Sequence, residues 1–174
     1  LDLQPVLRGN LIELRPMRME DFENLLEAAG DPLIWEQHPE PDRYKRDVFQ
    51  KFFDSGIASK GAFVIVDRQS GQIIGSSRYY DYDQDKREVK VGFTFLKRAY
   101  WGGTTNRELK SLMHDHAFQF VDRVLFEVGE NNLRSQKALE KIGARFLTTA
   151  EHPDSKGIMH RTVVFLIERS SAQT

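Results

Sequence analysis

The sequence predicts a single α/β domain built on a mixed, mostly antiparallel sheet flanked by helices. Three observations lead there. Segments of helical period and strand period follow one another in the order β-αα-βββ-α-β-α-ββ. The three central strands are joined by turns too short for a crossover, so they form an antiparallel meander. The chain has 174 residues, 40% of them apolar and 29% charged, which suits one compact core rather than two.

The elements follow in order. Residues 10–16, "NLIELRP", alternate Ile12 and Leu14 against Leu11, Glu13 and Arg15 and stop at Pro16, as a strand does. Residues 19–30 bring Phe22, Leu25, Leu26 and Ala29 onto one helical face, with Gly30 as the stop. Residues 31–44, "DPLIWEQHPEPDRY", carry three prolines and read as a loop or broken helix. Residues 46–58 form a second amphipathic helix. Strands over 62–68, 73–83 and 89–96 are separated by "QSGQ" and "DQDKRE", and strand alternation places Tyr80 and Tyr82 on one face with Arg78. From 105 to 121 the stripe Leu109, Leu112, Met113, His116, Ala117 and Phe120 marks a long helix. A strand over 124–129, a helix over 133–143 closed by Gly143, and strands over 144–151 and 160–169 complete the domain. Residues 8–169 form the ordered part and 170–174 a frayed tail.

Bulk chemistry excludes several function classes. The net charge of −1 gives no pull toward nucleic acid or an anionic membrane. The first residues lack a basic flank followed by an apolar stretch, and no apolar run approaches the ~18 residues of a membrane span. With no cysteine, disulfides, a thiol nucleophile and thiolate metal sites are excluded, and a reducing cytoplasmic location fits. His114 and His116 are two residues apart on a helix and share no face, so no metal site is expected.

Chemistry concentrates at two strand–helix junctions. In "FTFLKRAYWGGTTNRELK" (93–110) a strand runs into Gly102 and Gly103 and then a helix. Free N–H groups at a helix start attract anions, and glycines let a phosphate approach closely. Thr105 as N-cap with Glu108 three residues on reads as a capping box, which starts the helix near Asn106. Thr104, Thr105 and Asn106 add side-chain donors, and Arg98, Arg107 and Lys110 add positive charge. A well-capped turn with nothing bound fits the same residues. In "VGENNLRSQKALEKIGARF" (128–146) a strand, Asn131-Asn132, a helix, a glycine stop and another strand follow in turn.

These segments, with the opening "IELRPMRMEDFENLLE", resemble the GCN5-related N-acetyltransferases (GNAT), in particular the branch of ribosomal-protein N-terminal acetyltransferases. The resemblance spans nearly the whole chain, and its most specific part is Asn132-x-x-Ser135 with the close "KIGA". It implies a sheet whose central strands splay apart to hold acetyl-coenzyme A (acetyl-CoA) as co-substrate, with no metal. The family's pyrophosphate loop, Gln/Arg-x-x-Gly-x-Gly/Ala, falls on residues 101–106, where Trp101 stands first, Thr104 replaces the central glycine and Asn106 the last small residue.

The resemblance further implies a cofactor site of Phe95, Leu96, Lys97, Arg98, Trp101, Gly102, Gly103, Thr104, Thr105, Asn106, Asn131 and Asn132. A backbone N–H at Phe95, Leu96 or Lys97 would polarise the thioester carbonyl. Ser135 is the candidate proton donor to the leaving thiolate, against a plain role in the first turn of its helix. Glu88, on one strand face with Lys90, is the candidate base, against an ion pair between the two. Trp35, Glu36, His38, Arg78 and Tyr80, with Tyr82 beside them, are the candidate acceptor pocket. The expected activity is direct acetyl transfer to a primary amine, either a peptide N-terminus or a small molecule. A non-catalytic acyl-CoA sensor or interaction domain on the same fold is the alternative. Pairing of outer strands in a homodimer is left open by the sequence.

Overall fold

The computed structural model describes residues 2–170; of the tail expected over 170–174, all but Ser170 lies outside the described residues. Eight strands make one sheet: β1 (Leu7–Arg8), β2 (Ile12–Pro16), β3 (Ala62–Asp67), β4 (Ile73–Asp83), β5 (Glu88–Leu96), β6 (Arg123–Gly129), β7 (Arg145–Pro153) and β8 (Met159–Glu168). Their spatial order is β1-β2-β3-β4-β5-β6-β8-β7. Every neighbouring pair is antiparallel except β5–β6.

Helices lie on both faces. The front face carries α1 (Phe22–Ala29), α2 (Pro32–Trp35) and α3 (Arg46–Ser59). Their Leu25, Trp35, Phe49, Phe52 and Phe53 pack on Val64, Ile73 and Phe95 of the sheet. The back face carries α4 (Thr105–Ala117) and α5 (Leu133–Lys141), whose Leu109, Met113, Ala117 and Leu139 pack on Ile12, Leu14, Val89, Val91, Val124 and Phe126. The front of β6 and β8 is different. Leu125, Val164 and Leu166 form a small cluster there with Ala150 of β7 and no helix over it. No helix among the described residues is long and apolar enough to cross a membrane.

The 31–44 segment is broken as expected, with the four-residue α2 started by Asp31, whose side chain accepts the Leu33 N–H at 3.0 Å. Several other sequence expectations change. The α4 helix begins at Thr105 with Thr104 as N-cap and no side-chain cap bond, so the capping box is absent. Glu108 instead turns to the β1–β2 connection, where its carboxylate accepts the N–H groups of Asn10, Leu11 and Ile12 at 2.8, 2.8 and 2.9 Å. A side chain at Gly9 would meet that carboxylate at 2.6 Å. The helix also stops at Ala117, four residues short of expectation, which leaves Phe120 exposed. Tyr82 does not share a face with Arg78. A bulge between Tyr80 and Asp83, with Asp81 at φ 49°, reverses the alternation, and Tyr82 packs with the back-face core.

Candidate active site

The site begins where β5 and β6 part. They pair through only three positions, Glu88 with Arg123, Val89 with Val124 and Lys90 with Leu125, although β5 continues to Leu96 and β6 to Gly129. Beyond Lys90 the β6-facing edge of β5 is therefore unpaired. On the other edge a bulge sets Phe93 and Thr94 against Ser77 alone, and Phe93 adopts φ 52°. Lys97 N–H donates to Ile74 O at 2.9 Å. Backbone alternation then turns Phe95 N–H toward β4 as well, and only Leu96 N–H, between them, toward the gap. Among the three amides named from sequence, the gap-facing one is Leu96. Its carbonyl is engaged by Trp101 Nε1 at 3.0 Å.

The back of the gap is closed by a residue the sequence reading misplaced. Lys110 is not a charge at the glycine junction. It is 6% exposed and reaches in from α4, donating to Thr94 Oγ1 of β5 at 3.2 Å and lying 5.4 Å from the Phe126 ring of β6. Thr94 Oγ1 in turn lies 2.8 Å from Ser77 Oγ. Burial lowers the Lys110 ammonium to about 8.

The glycine junction lies at the far end of β5. Gly102 has φ 73°, which a side chain would strain, and an added Cβ at Gly102 or Gly103 would meet nothing within 4 Å. With no side-chain cap on Thr104 and Glu108 turned away, the first-turn amides of α4 are free for an anion. Thr105 is buried, whereas Thr104 is exposed and Asn106 half-exposed. Arg98 is held by Asp31. Trp101 lies under Arg134, whose guanidinium carbon is 3.9 Å from the ring centroid. Arg134 also donates to Ile34 O at 3.2 Å. The start of α5 is thereby tied to the junction and to the α1–α3 connection.

At that start, Asn132 is buried and is the N-cap; its Oδ1 accepts the Ser135 N–H at 3.4 Å. Ser135 Oγ makes no hydrogen bond to another described residue. Asn131 is exposed and lines a cleft of about 580 Å³ between residues 36–42 and the β7–β8 loop. Glu88 is not brought to this gap. It sits at the closed end of the β5–β6 pair, 3.4 Å from Arg123, and makes no ion pair with Lys90. Lys90 spans the opening instead, 3.2 Å from Glu127 and 3.3 Å from Asp81. Burial pushes the Glu127 carboxyl up, but Thr162 Oγ1 at 2.6 Å, Lys90 and His152 outweigh it and hold it below its ordinary value.

The acceptor-side residues fall into two groups. Glu36 and His38 line the cleft. Trp35 does not, being 2% exposed inside the front core with Nε1 on Ala29 O at 2.9 Å. His38 accepts the Glu40 N–H on Nδ1 at 2.9 Å, and burial, aided by Arg43, lowers it to about 3. It is a neutral imidazole at working pH, unsuited to act as the base. Tyr80 meets Phe93 edge to face with centroids 5.0 Å apart, and burial, with Glu127 and Asp81, raises its phenol.

Arg78 is 5% exposed between α3 and the sheet, 3.9 Å from the Phe93 centroid, and donates to Ser55 Oγ at 3.1 Å and to Phe52 O at 3.3 Å. Arg43, which the sequence reading passed over, lies 4.7 Å from the Phe52 centroid and 5.6 Å from that of Trp35. The Nε atoms of both arginines are sealed from water and unpaired. Burial lowers each to about 10. Aromatic faces return about 2 kcal/mol to a desolvated cation, less than the several kcal/mol its burial costs.

Parted strands, a free helix start at the end of the open strand and a second helix start facing it make up the frame in which acetyltransferases of one family work. Residues 12–145 match the model of the acetyltransferase (GNAT) domain. The chain belongs to that family, which uses acetyl-CoA for acetyl transfer. Solved structures agree in fold. A GCN5-related N-acetyltransferase from Brucella melitensis superposes with a TM-score of 0.81 at 20% identity, over 95% of this chain and 79% of that one. RimJ of Mycobacterium smegmatis in complex with CoA-disulfide gives 0.71 at 18% identity, over 94% and 86%. The ribosomal-protein-S5-alanine acetyltransferase of Vibrio fischeri gives 0.69 at 15% identity, over 97% and 98%. No curated protein sequence matches the chain.

Proposed function

We propose that this chain transfers the acetyl group of acetyl-CoA directly to a primary amine in the front cleft. The observation that carries the reading is the open edge of β5 leading to an uncapped α4. When bound, acetyl-CoA supplies an activated thioester. The first-turn amides of α4, with Gly102, Gly103, Thr104 and Asn106, would hold its pyrophosphate. The unpaired edge of β5 would hold its pantetheine arm as an added strand, with Leu96 N–H directed at the carbonyl oxygen. Asn132 fixes the start of α5, from which the Ser135 hydroxyl would give its proton to the departing sulfur, the proton shed by the acylated amine restoring the hydroxyl. Alignment in the gap can supply roughly 7 kcal/mol or more of the barrier reduction.

Thermal melting with acetyl-CoA, followed by CoA release over a panel of amines, tests this reading. Acetyl-CoA raises the melting temperature of the wild type. Asn106→Glu, which sets a carboxylate against the pyrophosphate, removes the rise. A rise that survives in Asn106→Glu overturns the placement at α4. Binding without release on any amine leaves the non-catalytic alternative.

A further inference from the structure

Two guanidinium groups share the front side of the gap with no acidic partner. Among the described residues neither Arg43 nor Arg78 makes an ion pair. Arg78 enters beneath α3 because residue 56 is glycine; a Cβ there would come 3.2 Å from its Nη2. Both pack on the Phe52 ring, and the Arg43 charge disfavours the Arg78 cation. Glu40 attracts Arg43 from a distance, but its carboxylate is occupied by the Ser155 N–H and hydroxyl at 2.8 and 3.0 Å. The neighbouring His38 is neutral and adds no negative charge. Proteins seldom bury a charge without a partner, because losing hydration is costly. Arg78 is buried and Arg43 half-buried, and two such cations together, each with an unpaired Nε, mark a place for an anion.

The position says what that anion belongs to. Arg78 lies under Phe93, on the bulge just past the point where β5 leaves β6. Arg43 follows the segment 36–42, which lines the cleft. Both are on the face of the sheet opposite α4 and so are separate from its anion-binding start. Phe93, 38% exposed at φ 52°, is the cover between Arg78 and solvent. We propose that the acceptor is a small zwitterion, an amine that also carries a carboxylate or phosphate, whose anionic group is held by Arg43 and Arg78 with its amine at the gap. This rests on the transferase reading for the amine but not for the anion.

The experiment pairs acceptors that differ only in charge: free amino acids against their amides, and phosphorylated amines against their alcohols. For the wild type, the KM of the anionic member is lower by about tenfold or more, and whichever of carboxylate and phosphate shows the larger ratio identifies the anion. Arg43→Met and Arg78→Met raise the KM of the anionic member by a larger factor than that of the neutral one, so the ratio within each pair falls toward one. The same compounds without acetyl-CoA raise the melting temperature of the wild type but not of the double variant. Equal KM values within every pair, with turnover intact, overturn the anion site and leave the transferase standing. A melting shift that needs both arginines without turnover on any amine keeps the anion site and removes the transferase. The wild-type comparison does not depend on how the variants fold.

Discussion

Arg15 and Arg78 are both arginines on strands near the front helices, yet their surroundings differ in kind. Arg15 grips Asp21 with two hydrogen bonds of 2.9 and 2.8 Å, and Asp21 also accepts the Arg18 N–H at 2.8 Å. Every charge there has its opposite within the chain. Arg78, with Arg43 beside it, has aromatic rings, a hydroxyl and a carbonyl but no carboxylate. The first arrangement is complete as it folds and reads as architecture. The second is complete only when something joins it and reads as a binding place. A buried charge is thus informative mainly through what is missing around it.

The largest test of that contrast is Asp21→Ala, which strands Arg15. It should lower stability by about 3 kcal/mol, roughly 10 °C in melting temperature for a chain of this size, measured by urea and thermal unfolding. Burial raises the Asp21 carboxyl, and Arg15 and the Arg18 N–H more than reverse this. Its contribution is therefore full above the unfolded value of 3.8 and is lost as pH falls through the lower folded value.

His38 titrates in a different window. Folded, it resists protonation down to about 3, whereas unfolded it takes a proton near 6.5. The unfolded chain then binds more protons between those values, so stability falls as pH drops through that range, by about 2 kcal/mol from pH 7 to 5. His38→Asn, which keeps an acceptor for the Glu40 N–H, should flatten the urea midpoint across this range. An unchanged slope would show that burial and Arg43 do not hold His38 neutral in the folded chain.

Glu108→Gln should cost roughly 1–2 kcal/mol, since three amides lose a charged acceptor; a cost below the error of urea unfolding would make the clasp incidental. Ser135→Ala is expected to lower kcat about tenfold, equivalent to about 1.4 kcal/mol, with acetyl-CoA affinity unchanged. Unaltered turnover would return Ser135 to the first turn of α5. The smallest effect is on Arg78→Met stability. It should match or exceed the wild type, and a loss comparable to that of Asp21→Ala would erase the contrast between the two arginines.

The layered sheet was legible because its signals are periodic. Val89 and Val91, or Leu109 and Met113, mark their faces by spacing alone. The Gly102-Gly103 junction and Asn132-x-x-Ser135 were legible because a few residue types suit those backbone shapes. Elsewhere spacing misled. Thr105 and Glu108 have the interval of a capping box, but the carboxylate found three amides of the β1–β2 turn instead, a choice made by tertiary packing. Tyr82 left its expected face because one extra residue at Asp81 reverses a period of two. Lys110 was read as a positive charge at the glycine junction, and Arg43 was passed over. Nothing in their immediate sequence indicates that the splayed strands and the Phe52 ring enclose them. Glu88 was chosen for its strand face, whereas the decisive quantity was its distance along that strand from the opening.

The stacking of Trp101 beneath Arg134 has a spectroscopic consequence. The chain contains two tryptophans. Trp35 is sealed in the front core, with its indole N–H on Ala29 O. Trp101 sits at the glycine junction under a guanidinium. The emission spectrum should therefore separate into a blue component from Trp35 and a redder one that responds when the α4 junction is occupied. Trp35→Phe would leave a single tryptophan, at the cofactor end of the gap. Binding there could then be followed optically without any added label and compared directly with melting shifts caused by anions at the other face.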